Sequence, residues 1–178
     1  MPYRLDPRRS SLRLPGRDYA APGYVFVTID TANRQALFGE IDSGGVILSP
    51  AGQMLDQIWN RVPDRFSAVA LDEYVVMPDH THALLMMGLS ATQPVTVGQV
   101  VRWVKSTSVE GYRQGVLRHR WEPYDGKLWH PNFHDRVLRD GELDVRRQYI
   151  QANPRRRWER MLIEANAPPA IWRSPRDT

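Results

Sequence analysis

The sequence predicts an α+β domain in which helices pack against an antiparallel sheet. Segments of β-branched and aromatic residues and segments of helical period follow one another as strand, hairpin, helix, strand, strand, helix, helix. That order separates the helices from an antiparallel sheet rather than interleaving them with a parallel one. No glycine-rich phosphate loop follows any strand, so a doubly wound nucleotide-binding fold has no support. With 178 residues and 42% apolar content, the chain suits one globular domain with a substantial core.

The segment "YVFVTID" (Tyr24 to Asp30) is β-branched and aromatic and is expected to be a strand. In "QALFGEIDSGGVILS", Leu37-Phe38 and Val46-Ile47-Leu48 flank the turn residues "DSGG", which predicts a hairpin. "SPAGQMLDQIWNRVP" opens with a serine cap and a proline, then places Met54, Leu55, Ile58 and Trp59 at helical spacing, with Pro63 as its end. "FSAVALDEYVVMP" and "THALLMMG" are two further strands joined tightly through "PDH". "TVGQVVRWVKSTSVEGYRQGV" is a helix with Val97, Val100, Val101 and Val104 on one side. "HRWEPYDGKLWHPNFHDRVL" is irregular with one short strand. "DGELDVRRQYIQANP" is a helix that Pro154 is expected to close. The tail is expected to form a short helix and an extended end. The domain plan is a basic arm at 1–20, one domain at 21–160 and a tail at 161–178.

The chain has no cysteine, which excludes disulfides and thiolate metal sites and fits a cytoplasmic location. No secretory leader pattern is present, and no apolar run reaches the about 20 residues that span a bilayer, so no membrane partner is expected. The net charge is +4, and all but two of the 24 basic residues are arginine, the exceptions being Lys105 and Lys127. Genomic base composition is the plainer reading of that ratio; the placement of the arginines is more telling. Arg4, Arg8, Arg9, Arg13 and Arg17 precede the first strand. Arg146, Arg147, Arg155, Arg156, Arg157 and Arg160 crowd one late segment. Such clusters are the footprint of a phosphate-rich partner, with a solvated helix face as the plainer reading.

The stretch "YVVMPDHTHALLMM" sets two histidines two residues apart in an apolar run. On a strand, residues i and i+2 share a face, so His80 and His82 project together and could share a divalent cation. Two ordinary histidines near a strand end are the alternative. Further along, Tyr149 and Asn153 lie one helical turn apart on one face. Asn supplies a carbonyl oxygen suited to Mg²⁺ or Mn²⁺, and Tyr a phenolic oxygen able to attack phosphorus. A core tyrosine and a helix cap before Pro154 would give the same spacing.

Four blocks in order carry a family resemblance: "RRSSLRLPGRDYAAPGYVFVTIDTANRQALFGEI", "LDEYVVMPDHTHALLMM", "VVRWVKSTS" and "LWHPNFHDRVLRDGELDVRRQYIQANP". Together they resemble the REP-associated tyrosine transposases, relatives of the single-tyrosine insertion-sequence transposases among the HUH endonucleases. The resemblance implies a ferredoxin-like antiparallel sheet with helices on one face and the two histidines on a central strand. It implies His80, His82 and Asn153 as ligands of Mg²⁺ or Mn²⁺ and Tyr149 as the nucleophile. Thr81 stands where the family usually has a bulky apolar residue. Phe133-His134 stands where it often has a tyrosine pair, which makes His134 an accessory base or ligand. The implied partners are single-stranded DNA hairpins of repetitive extragenic palindromes, bound by a monomer or homodimer at the nucleoid.

The arginine clusters would hold phosphates, and Trp121, Tyr124, Trp129 and Phe133 would stack on unpaired bases. Core packing is the competing expectation for these rings, above all for Trp129. Lys105 is a candidate DNA contact or a snorkelling surface lysine. A domesticated binder of DNA or RNA hairpins that no longer cuts is the alternative function.

Overall fold

The computed structural model of the protein describes residues 22–43, 45–90 and 92–166. The arm arginines Arg8, Arg9, Arg13 and Arg17, and the tail beyond residue 166, lie outside them. The elements run β1 (Gly23–Asp30), β2 (Gly39–Asp42), β3 (Gly45–Leu48), α1 (Pro50–Asn60), α2 (Val62–Arg65), β4 (Ala70–Met77), β5 (His80–Met87), α3 (Val97–His119), β6 (His134–Val137) and α4 (Leu143–Asn166).

The main sheet has the order β4-β5-β1-β6 with antiparallel neighbours throughout. With α1 leading from β1 towards β4 and α3 joining β5 to β6, this is the expected ferredoxin-like α+β arrangement. The β2–β3 hairpin is inserted between β1 and α1. Alternation along β1 sorts its side chains. Val25, Val27 and Ile29 enter the core with Ala83, Leu85 and Met87 of β5, beneath Leu55, Ile58 and Trp59 of α1 and the valines of α3. Each such large buried side chain contributes about 1.5–3 kcal/mol. Phe26, Thr28 and Asp30 take the opposite face. The expected helix-covered face is the one under α1 and α3; α4 lies across the other.

Local chemistry sets the helix starts. Ser49 Oγ accepts from Gly52 N at 3.1 Å, with Pro50 in the first turn of α1. Thr96 and Gln99 form a reciprocal capping box at α3. Pro63 does not end the helical stretch as expected. The chain turns at Arg61, and Pro63 sits in the first turn of α2, where its missing N–H is harmless. The first hairpin strand begins later than expected: Phe38 precedes β2 and goes into the core, stacked on Trp129 at 5.1 Å.

The expectation that Pro154 closes the last helix is overturned: Pro154 lies inside α4, which continues to Asn166. A proline here removes one backbone hydrogen bond, but packing against the sheet holds the helix. Arg147 forks onto Asp72 at 2.8 and 2.6 Å, and Gln151 Nε2 donates to Glu73 Oε1 at 2.9 Å. Asp72 and Glu73 are available because β4 has a register shift between Leu71 and Tyr74. The helix also packs against β2 and β3.

Candidate active site

β4 and β5 are joined by a two-residue turn, Pro78-Asp79, that leaves Met77 paired with His80. Its carbonyls are strapped down by the chain following β1. Thr31 donates both N–H and Oγ1–H to the Asp79 carbonyl (3.0 and 2.9 Å), and Leu37 N and Phe38 N donate to the Pro78 carbonyl (2.9 and 3.0 Å). His80 and His82 then leave β5 on one face, with ring centroids 4.7 Å apart. Thr81 points into the core face and is fully buried, its hydroxyl donating to the Val75 carbonyl at 2.9 Å. This small polar residue is therefore satisfied where a bulky apolar one was expected.

Register assembles the rest. His82 is paired with Thr28, and Thr28 with His134 on its other side, so the three share a row and a sheet face. Thr28 Oγ1 lies 2.8 Å from His82 Nδ1, and Asp79 Oδ1 2.6 Å from His80 Nδ1. Phe26 stacks on His82 at 5.1 Å. Across this face comes α4, which sets Tyr149 edge-on to His82 at 5.5 Å and to Phe26 at 5.9 Å. Asn153, one turn later, is 8% exposed, and its amide has no hydrogen-bond partner among the described residues.

Electrostatics separate the two histidines. Burial, reinforced by His80, Arg34 and Arg146 and opposed by Asp79, pushes His82 down to about 3, so it is neutral at physiological pH. Burial alone would raise Asp79. The hydrogen bond from His80 and the charges of His80, Arg34 and Arg157 outweigh it and hold the carboxyl below its usual range. The guanidiniums of Arg146 and Arg156 lie 6.0 and 5.4 Å from the centre of the Tyr149 ring. A cavity of about 420 Å³ opens beside Tyr149, lined by Asn153, Arg156, Glu159, Arg160 and Ile163.

The remaining expected contacts divide. Arg147 is committed to Asp72 and Asp144, and Arg155 to Glu159 at 2.9 Å. Arg157 is close enough to Asp79 to act on its charge. Lys105 donates to the carbonyls of His130 and Asn132 at 2.7 and 2.9 Å. Burial, opposed by Asp30, lowers its ammonium to about 8. It therefore anchors the loop before β6. His134 is exposed on β6. Trp129 is a core residue, with Nε1 donating to Ser108 Oγ at 2.8 Å. Trp121 and Tyr124 pack on Tyr112 at 5.4 and 5.2 Å. Tyr124, Trp129 and Phe133 line a separate cleft of about 720 Å³ between α3 and the loop at 124–133. Thr28, Asp79 and Phe26 were not singled out from the sequence. Asp79 was visible beside the histidines, whereas Thr28 and Phe26 become neighbours only through strand register.

Residues 45–153 match the IS200-like transposase family, a span that contains both histidines, Tyr149 and Asn153. The chain belongs to the IS200-like transposases. An uncharacterized protein of Haemophilus influenzae is 30% identical over 165 residues, covering 82% of this transposase and 88% of the relative. A structure of a REP-associated tyrosine transposase bound to a REP hairpin superposes with a TM-score of 0.58 at 17% identity. It covers 89% of this chain and 90% of that one, and so shares the fold. No described helix of the transposase is long and apolar enough to cross a membrane.

Proposed function

We propose that this transposase is a site-specific single-strand DNA endonuclease and strand transferase that nicks and rejoins repeat hairpins through a covalent tyrosine link. The observation that carries the reading is the seating of Tyr149 against His82, within one chain of an IS200-like transposase. The phenolic oxygen of Tyr149 attacks phosphorus and the phenol proton departs. The new O–P bond forms as the P–O3′ bond breaks, leaving a 5′-phosphotyrosine and a free 3′-hydroxyl. Attack by a 3′-hydroxyl reverses the step, so rejoining needs no outside energy source.

The donor set suits Mg²⁺ or Mn²⁺. Both Nδ1 atoms are engaged by Asp79 and Thr28, which leaves the two Nε2 atoms as donors, and Asn153, a largely buried residue, spends its amide on no partner among the described residues. Among the described residues no group of three His, Cys, Asp or Glu could hold a metal, and we assign the Asn153 carbonyl oxygen as the third ligand. When bound, such a cation supplies Lewis-acid polarisation of the scissile phosphate.

Arg146 and Arg156 stand over the nucleophile as phosphate-binding cations, with Arg155 and Arg157 flanking them, and His134 is the accessory imidazole on the same face. The hairpin as substrate is supported by the REP hairpin held by the REP-associated relative of the same fold. Tyr149 lies against His82 of its own chain, which supports action by a single copy. The nucleoid is the site of action we assign.

The test uses radiolabelled single-stranded hairpins from repeats of the source genome, incubated with Mn²⁺ and run on denaturing protein gels. A labelled band at the protein's mass is expected, and Tyr149→Phe should remove it while hairpin affinity stays within about threefold, since only one hydroxyl is lost. Binding without a covalent band across several repeats and metals would instead assign a non-cutting hairpin binder.

A further inference from the structure

Two side chains outside the histidine pair stand behind its imidazoles, and they are chemically unequal. Asp79 presents a carboxylate oxygen to His80 Nδ1, and Thr28 a hydroxyl to His82 Nδ1. A carboxylate accepts hydrogen bonds only; a hydroxyl donates or accepts. We propose that Asp79 is a positioning residue that locks His80 with its proton on Nδ1 and its Nε2 lone pair turned outward, whereas Thr28 holds the His82 ring without choosing its proton. His80 is then the preset ligand, and His82 is the ligand whose tautomer follows what binds. This deepens the metal-dependent reading and rests on it.

In the neutral form that can ligate a metal, the His80 imidazole carries one ring proton. With Asp79 Oδ1 at 2.6 Å, an unprotonated Nδ1 would set lone pair against lone pair, so the proton sits on Nδ1 and Nε2 is left bare. That is the form in which a histidine ligates a metal, backed by a carboxylate. The carboxylate is held in place. Its turn is strapped through both carbonyls to Thr31, Leu37 and Phe38, and Arg34 Nη1 lies 3.8 Å from Oδ2. A fixed backbone and a fixed carboxylate leave the His80 ring little freedom.

His82 differs. If Thr28 donates, Nδ1 is bare, Nε2 carries the proton and the ring cannot ligate through Nε2. If Thr28 accepts, the reverse holds. Among the described residues the Thr28 hydroxyl has no other hydrogen-bond partner, so nothing else orients it. The Phe26 ring, 5.1 Å away with planes at 29°, fixes the plane of His82 but not its proton. Binding at Nε2 would therefore draw His82 into the Nδ1–H form, with Thr28 turning from donor to acceptor.

The experiment is a two-bond ¹H–¹⁵N correlation spectrum of the histidines in the full chain, without metal and then with Mg²⁺, alongside Mn²⁺ affinity by electron paramagnetic resonance. Metal-free His80 is expected as the Nδ1–H tautomer, and His82 as a mixture, or as Nε2–H, that moves to Nδ1–H on adding Mg²⁺. In Asp79→Asn, whose amide can also donate, His80 should become mixed and Mn²⁺ affinity should fall about 10- to 100-fold. Thr28→Ser keeps a hydroxyl and should preserve both behaviours. Metal-free His80 in the Nε2–H form, or an Asp79→Asn protein with unchanged tautomer and affinity, would overturn the proposal. Metal-free His82 already fixed as Nδ1–H would overturn the part that concerns Thr28. Wild-type protein that binds neither Mg²⁺ nor Mn²⁺ would sink the metal reading, while the metal-free spectrum still decides the role of Asp79. Should Asp79→Asn fail to fold, the wild-type spectrum carries the decision.

Discussion

His82 is a neutral imidazole held under α4, and that burial links stability to pH. The folded protein takes up its proton only near 3, whereas the unfolded chain does so at the ordinary 6.5. Between those values the unfolded state binds more protons, so stability present above 6.5 is lost as pH falls. The loss should reach about 2 kcal/mol between about pH 6.5 and about pH 5. Urea midpoints at the two pH values check it, and His82→Gln should flatten the difference. An equal fall in both proteins would assign the acid sensitivity to other groups. Lys105 teaches the complementary lesson at this scale. Its donors are spent on loop carbonyls, so its presence in a resembling block says nothing by itself about DNA.

The α4 element works as a clamp with two edges. Arg147 and Gln151 grip the irregular start of β4, and one face round, Tyr149 and Asn153 meet β1 and β5. Arg147→Ala should release the first edge and let the nucleophile drift. Since a displacement of about 1 Å can cost about 100-fold, single-turnover cleavage should slow by about 10- to 100-fold. Hairpin affinity in gel shifts should change by less than about threefold, because this guanidinium already has carboxylate partners. A larger drop in affinity than in rate would return Arg147 to the phosphate contacts. The same clamp explains why Pro154 does not stop the helix: contacts from the sheet and hairpin outweigh one missing hydrogen bond.

Over the whole molecule, positive charge is distributed more selectively than the arginine count suggests. Among the described residues, Arg34, Arg113, Arg136, Arg147 and Arg155 are paired with carboxylates, while Arg146 and Arg156 lie on the ring of Tyr149. The N-terminal arginines add a second basic cluster. If that cluster grips phosphates, deleting residues 1–20 should make the dependence of log affinity on log salt shallower, by about 0.7 for each single-strand phosphate contact removed. Fluorescence anisotropy with a labelled hairpin over a salt series reads the slope. An unchanged slope would exclude the arm from the interface.

Much of the fold and the core of the candidate site could be read from the chain alone, because their signals are local. Alternation in "YVFVTID" and "THALLMM" determined the strands and their two faces, and period-two spacing put His80 and His82 together. The i, i+4 spacing did the same for Tyr149 and Asn153 within their helix. The blocks, taken in order, pointed to the family. Tertiary structure alone decided what meets what across the sheet. Strand register set Thr28 behind His82 and carried His134 into the same row, and a β4 irregularity supplied the carboxylates that dock α4. Packing carried a helix through a proline and tied Lys105 to a loop of carbonyls. These outcomes depend on contacts between residues far apart in sequence, such as Gln151 with Glu73, 78 positions apart, and no local pattern encodes such a pairing.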